Sequence, residues 1–376
     1  MTSQPAEAPD RGEQTRLLQG EQALALAALA AGCRFYAAAS PPYAETVHHV
    51  MRRRMAEYGG VFFPAQDEDE AIHALCGAAM AGRRAMAAVS SPGASLCQAG
   101  LSQLAALELP AVLANFSRGG PGMGNISPSQ SDYFQATRGG GHGDYRTLTL
   151  SPCSGQELSD MTARAFALAD KYRNPVVILS DAMLGQMVEP VALPSAAPPD
   201  ANAAKSWALC GAAGRPRRVL ASLNLSPSAL EAHNHKLVRK YDVMRAVEPA
   251  WEEHLAKDAA MVVVAHGTAA RIAKGAIKRV RRLGLSVGLL RPKTLWPFPA
   301  KALSALTEKT KLFLVFEMST GQMVDDVRLA LAGRGQVFFH GRPGGVAPTP
   351  EEVAHQISHF YFKAGLEAQP SGEEAR

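Results

Sequence analysis

RGGPGMGNISPSQSDYFQATRGGGHGDYR, residues 118–146, is the stretch from which the fold and its ligand side are read. Glycines and prolines break any helical register, so the run reads as a loop without a helix. Structureless loops of this length are uncommon in compact domains and usually functional. Arg118, Asn125, Ser129, Gln130, Asp132, His142, Asp144 and Arg146 punctuate it. Such side chains in a glycine-rich loop suit a polar small molecule, which backbone N–H groups can approach closely. The other reading is a solvated loop. Strand-like segments flank the run, residues 109–115 before it and 146–150 after it, and a loop leaving a buried strand of an α/β sheet is where such sheets bind ligands. GPGMGN lacks the dinucleotide-binding spacing.

Outward from this loop, apolar runs of strand length alternate with helical segments. Strands are expected near residues 34–39, 61–63, 85–89 and 176–179, and helices over 22–31, 44–58, 71–81, 94–107 and 159–171. A second series of strands follows at 261–265, 286–291, 312–317 and 336–340, with a basic helix over 269–283. Strand–helix alternation implies parallel sheets. The expected organisation is a disordered tail over 1–16, a first domain over 17–191, a linker and helical connection over 192–257, a second domain over 258–365 and a tail over 366–376.

The chain has 376 residues, 47% hydrophobic and 19% charged, with net charge +5. This balance suits a globular α/β protein. The charge comes without a nucleic-acid motif, so no nucleic-acid partner is expected. The cysteines (Cys33, Cys76, Cys97, Cys153, Cys210) include no CxxC pair and read as buried free thiols. His233 and His235, like the adjacent His48 and His49, fall on different helix faces, so no metal site is expected. The polar N-terminal stretch has no signal-peptide core and no apolar run has the length of a membrane span, so the expected location is cytoplasmic.

The run 118–146 resembles the α subunit of the 2-oxoacid:ferredoxin (acceptor) oxidoreductases, closest to the 2-oxoisovalerate (3-methyl-2-oxobutanoate) type. SSPGASLCQAGLSQLAALELPAV (90–112), ADKYRNPVVILSDAMLGQMVEP (169–190), LLRPKTLWPFP (289–299) and GRPGGVAPTPEE (341–352) carry the same likeness, which extends from about Gly20 to about Phe362. The resemblance implies two doubly wound α/β domains, one of the pyrimidine type found in thiamine-diphosphate enzymes and one like the transketolase C-terminal domain. It implies oxidative decarboxylation of a 2-oxoacid to an acyl-CoA with electrons passed to ferredoxin or a similar acceptor. It also implies a hetero-oligomer: thiamine diphosphate and Mg²⁺ held mainly by a β subunit, with γ and iron–sulfur δ subunits as further partners. The chain itself lacks the GDG…N thiamine motif and any iron–sulfur cysteine pattern.

The same likeness assigns roles to residues. A glutamate at the start of the helix after Gln66 bonds the cofactor pyrimidine. The register favours Glu68, with Glu70 the competing choice, while Asp67–Glu70 also suit a helix N-terminus. Arg118 is the implied carboxylate ligand of the substrate, and Ser91, Gly93 and Asn125 lie on the cofactor side. Two departures stand out. Ser40-Pro41-Pro42-Tyr43 replaces a turn whose threonine bonds the 2-oxoacid, with Pro42 (or Pro41) at that threonine, leaving Tyr43 to rebuild the contact. Gln98-Ala99-Gly100 replaces Gln-Glu-Gly. The expected enzyme is therefore selective for a branched-chain or bulky apolar or aryl 2-oxoacid, in space left by Ala37 to Ala39. The alternatives are a non-catalytic scaffold paralogue and, from His266-Gly-Thr, a nucleotide-binding module.

Overall fold

A computed structural model describes residues 11–39, 44–195 and 205–368. Two α/β sheets carry helices on both faces, as expected. The first runs β12-β6-β7-β5-β4-β2-β3 and the second β14-β13-β10-β11-β9. The first sheet contains β2 (Phe35–Ala38), β3 (Val61–Pro64), β4 (Ala85–Ser90), β5 (Ala111–Ser117), β6 (Leu148–Leu150) and β7 (Pro175–Asp181), all parallel. β4 and β5 are buried along their whole length, which is why they read as continuous apolar runs. Their side chains alternate between faces: Ala85, Ala87 and Val89 join one core cluster, Met86 and Ala88 the other.

The helices of this sheet are α1 (Gly20–Ala30), α2 (Glu45–Arg54), α3 (Glu68–Met80), α4 (Ser91–Leu96), α5 (Gln98–Ala106), α6 (Tyr133–Arg138), α7 (Gly155–Tyr172) and α8 (Ala182–Gln186). The second sheet has β9 (Trp251–His254) antiparallel at one edge, and β10 (Met261–Val264), β11 (Val287–Pro292), β13 (Leu312–Glu317) and β14 (Gln336–Gly341) parallel. It is flanked by α10 (Gly267–Arg282), α11 (Ala300–Leu306), α12 (Met323–Leu331) and α13 (Pro350–Lys363), while α9 (Pro227–Val247) packs on the first sheet. One core cluster runs through both units, joining α3 and α5 to β10, β13 and α12. β12 (Thr294–Trp296) leaves the second unit and pairs antiparallel with β6, adding a strand to the first sheet.

Several sequence expectations change. Residues 11–16 are not tail: they belong to β1 (Arg11–Gln19), which pairs antiparallel with β8 (Val188–Pro194), a partner too distant in sequence to leave a local signal. The helix expected from Ala94 starts at Ser91 and breaks at Cys97 into α4 and α5. The glycine-rich run does contain a helix, α6, set between its two glycine clusters. Cys33, Cys76, Cys97 and Cys153 are buried, with burial pushing the first three thiols up to about 12, but Cys210 is exposed in the segment after the first domain. His266 is buried between the units and Gly267 opens α10, so His266-Gly-Thr presents no nucleotide-facing turn.

A buried ion cluster locks the two sheets. Arg291 on β11, fully buried, donates to both Glu157 oxygens on α7 (2.9 and 2.5 Å) and to Glu252 on β9 (2.9 Å). Burial alone would raise the Glu157 carboxyl; Arg291 and Lys293 outweigh it and hold it at about 2, below its ordinary 4.5. Its contribution to stability is therefore complete above the unfolded-state value and is lost as pH falls from about 4.5 towards 2. Replacing Glu157 with Gln leaves a buried guanidinium underpaired and should destabilise the chain by about 3 kcal/mol in urea unfolding at pH 7. At pH 3 the gap from wild type should narrow; a pH-independent gap would exclude this role.

Candidate active site at the carboxyl edge of the first sheet

The carboxyl ends of β3, β4, β5 and β7 bring together Glu68, Ser91, Arg118 and Ala182 (just past β7), and the chain order reverses across β2 and β4. Such an edge is where open α/β sheets form ligand crevices. Arg118 follows β5 directly and is 3% exposed. Its backbone N–H donates to Ser91 Oγ (2.9 Å), and its Nη1 donates to the carbonyls of Met123 (2.7 Å) and Asn125 (2.8 Å). The loop thus curls around its own arginine, closed by a bridge between Arg118 and Pro128. Gly124 sits inside this curl at φ +53°, where any Cβ would collide with the Gly119 carbonyl.

Beneath the loop, Asp132 accepts from Ser91 Oγ (2.6 Å) and from Asn115 Nδ2 (2.8 Å). This carboxylate therefore ties the end of β4, the middle of β5 and the loop to one point. Asn115 was not singled out in the sequence, since an asparagine inside an apolar strand shows no spacing; its burial at 2% gives it meaning. Asn125 accepts from Ser127 N–H (2.9 Å) and donates to the Gly344 carbonyl of the second unit (2.9 Å). Here Asn125 shapes the loop and docks it.

Two cavities meet at Arg118. One, about 340 Å³, lies between the units and is lined by Ser91, Asp132, Ser319, Thr320 and Gln322 among others. The second, about 950 Å³, opens on the other side towards α1 and α8. Asp144 and Arg146 are in neither. They line a separate cavity of about 610 Å³ against α9, so the polar residues of the glycine-rich run serve two places rather than one.

Glu68 and Glu70 have distinct surroundings. Glu70 N–H donates to Asp67, the N-cap of α3, while the Glu70 carboxylate accepts from Gln66 N–H (2.6 Å), so Glu70 closes the start of the helix. Glu68 is half-buried with its carboxylate against Gly93, where an added Cβ would lie 2.6 Å from Oε1. No described residue hydrogen-bonds that carboxylate. A cradle that only glycine leaves open, facing an acid with unused acceptor capacity, fits a group that donates a hydrogen bond to it. Ser91 and Gly93 lie in the first turn of α4, between Glu68 and Arg118.

Pro42 and Tyr43 lie outside the described residues, though Ala44 and Thr46 beside them line the larger cavity. Ala37 lines neither cavity: it packs with Ala65 and Ala71 under α3, so β2 leaves no extra substrate space there. Ala99 is exposed, so the acidic residue absent here would have been at the surface. His233 bonds the Ala106 carbonyl, and no group of three His, Cys, Asp or Glu among the described residues is arranged to hold a metal. No helix among them is long and apolar enough to cross a membrane.

Comparison with known proteins gives a consistent picture. The pyruvate flavodoxin/ferredoxin oxidoreductase, thiamine diphosphate-binding family matches residues 26–223, and the pyruvate:ferredoxin oxidoreductase core domain II matches 259–353. The ketoisovalerate oxidoreductase subunit VorB of Methanothermobacter marburgensis is 44% identical, over 88% of this chain and 94% of that protein. The 2-oxoglutarate synthase subunit KorA of Methanothermobacter thermautotrophicus is 34% identical over 90% and 97%. Among solved structures, 2-oxoglutarate:ferredoxin oxidoreductase from Magnetococcus marinus with 2-oxoglutarate, coenzyme A and succinyl-CoA bound superposes with TM-score 0.82 at 25% identity; the match covers 92% of this chain and 65% of that one.

Removal of Asp132 tests the network. Asp132→Ala leaves the Asn115 amide without its acceptor and the Ser91 hydroxyl with only its longer bond to the Arg118 carbonyl (3.3 Å), at a cost of about 1–3 kcal/mol. Thermal unfolding should shift down accordingly, and amide exchange over residues 118–128 should quicken. Unchanged exchange there would show that the loop holds itself.

Proposed function

Because the chain belongs to the pyruvate flavodoxin/ferredoxin oxidoreductase family and is a subunit of a 2-oxoacid:ferredoxin oxidoreductase, we propose that it forms the substrate-carboxylate and pyrimidine side of an active site for a branched-chain 2-oxoacid, completed by partner subunits. Arg118 carries this reading: a buried guanidinium, fixed by its own loop, at the wall shared by two cavities. A guanidinium matches a carboxylate bidentately. The branched-chain assignment is supported by the 44% identity to a ketoisovalerate oxidoreductase subunit.

The chemistry that thiamine diphosphate supplies when bound is cleavage of the bond between the keto and carboxylate carbons, with the electrons leaving through iron–sulfur clusters of the complex. On this chain, Glu68 accepts a hydrogen bond at its carboxylate, Gly93 leaves the room for it, and Ser91 keeps the turn between Glu68 and Arg118 in place. Arg118 orients the 2-oxoacid by its carboxylate, and the loop 118–128 restricts water around it. In this reading a β subunit holds the diphosphate and Mg²⁺, γ and δ subunits complete the assembly, coenzyme A takes the acyl group, and the two α/β units act as the two domains, the first taking in β1 from Arg11 and the second β9 from Trp251.

Three substitutions test the assignment in the complex reconstituted with its partners, read by 2-oxoisovalerate- and CoA-dependent dye reduction. Glu68→Gln should lower turnover by about 10²-fold or more without loss of assembly on gel filtration, whereas Glu70→Gln should cost only helix-cap stability. The opposite ranking would move the role to Glu70. Pro42→Thr restores a hydrogen-bond donor and should raise kcat/KM on small 2-oxoacids by about tenfold; no gain would show that the turn contributes nothing to substrate binding.

A further inference from the structure

The 950 Å³ cavity beside Arg118 is lined by apolar side chains and by a buried acid. Phe116, at the end of β5, forms one wall. Met183 on α8 and Met187 after it form another, and Ile126, 73% exposed on the glycine-rich loop, stands over the cavity. Glu21, in the first turn of α1, also lines it, only 5% exposed and accepting the Thr46 N–H at 3.0 Å. Burial raises the Glu21 carboxyl, against the opposing pull of bonds from Val47 and Thr46.

Among the described residues, the charged side chains of this lining are Glu21, Glu45 and Arg118, with no lysine or histidine. With Arg118 committed to the carboxylate beside the keto group, a second carboxylate on the substrate would meet the buried Glu21, with Glu45 exposed at the rim and no further cation among the described lining residues. Whether Glu21 is ionised or neutral, it cannot supply the missing positive charge. A branched alkyl group meets an aromatic ring, two thioethers and an aliphatic side chain instead, which lose nothing by excluding water.

We propose that this cavity is the side-chain pocket of the substrate, and that Glu21 is its specificity-determining residue, selecting monocarboxylic 2-oxoacids with apolar side chains over dicarboxylic ones. The proposal rests on the reading of Arg118 as the carboxylate ligand. It explains the selection by a buried acid placed against the wrong substrate, with the apolar wall accepting the right one.

The test uses the reconstituted complex and dye reduction, with kcat/KM measured for 2-oxoisovalerate and for 2-oxoglutarate. Glu21→Gln keeps an acceptor for the Thr46 N–H and removes the acid; preference for 2-oxoisovalerate should fall about tenfold. Ile126→Arg, at an exposed position that tolerates substitution, adds a cation at the cavity and should shift the ratio in the same direction. If neither variant moves the ratio by more than about twofold while Arg118→Ala lowers kcat/KM for both acids, the pocket assignment is overturned and the role of Arg118 stands. If Arg118→Ala leaves both substrates unaffected, the carboxylate reading fails and the pocket with it.

Discussion

Gln130 ties the glycine-rich loop of the first unit to the second unit. Its side-chain oxygen accepts the Met318 N–H (3.0 Å), its amide nitrogen donates to the His266 carbonyl (2.8 Å), and its own backbone N–H donates to the Met318 carbonyl (2.9 Å). All of these groups are buried, so each unmade bond would carry a desolvation cost. Gln322 adds a reciprocal pair, accepting from Phe134 N–H and donating to the Ser131 carbonyl. A loop that would otherwise be loose is thereby clamped at its middle. Everything upstream of the clamp, from Arg118 to Ser129, inherits a fixed position over the carboxyl edge of the first sheet.

That clamp explains why the two units act as one frame. Tyr133 on α6 donates to Asp326 on α12 (2.7 Å), Asn125 reaches the Gly344 carbonyl, and β12 crosses back to extend the first sheet. The Arg291 cluster adds bonds between the units next to His266. With the units braced in this way, the small cavity between them and the larger one beside α1 keep Arg118 as a common wall. Burial keeps His266 from acting as a charged group here: desolvation, aided by Arg291, lowers it to about 3, so it remains a neutral bridge between Ser151 and Gln130 near neutral pH.

Much of the architecture was legible in the sequence because strands buried on both faces read as apolar runs and the helices between them keep their period. Ala111–Ser117 and Pro175–Asp181 are such runs. Arg118 was legible because it opens the glycine-rich loop at a strand end. What was not legible depends on distant partners. β1 exists because β8 pairs with it, and α6 is a short helix masked by the glycines on either side. Asp144 and Arg146 face α9 rather than Arg118, a separation that linear proximity conceals. Between Glu68 and Glu70 the register favours Glu68 from the sequence, and capping geometry gives the two distinct surroundings. Glu21 carried no signal, since an acid in a helix's first turn is ordinary until the cavity beside it is seen.

The central claim is that the loop holds Arg118 ready for a carboxylate while the apolar walls beside α8 receive the rest of the substrate. A crystal structure of the reconstituted complex with 2-oxoisovalerate bound tests it most directly. The account predicts the carboxylate within hydrogen-bonding distance of the Arg118 guanidinium and the isopropyl group against Phe116, Met183 and Met187. A carboxylate held by other groups, with the substrate outside both cavities, would contradict it.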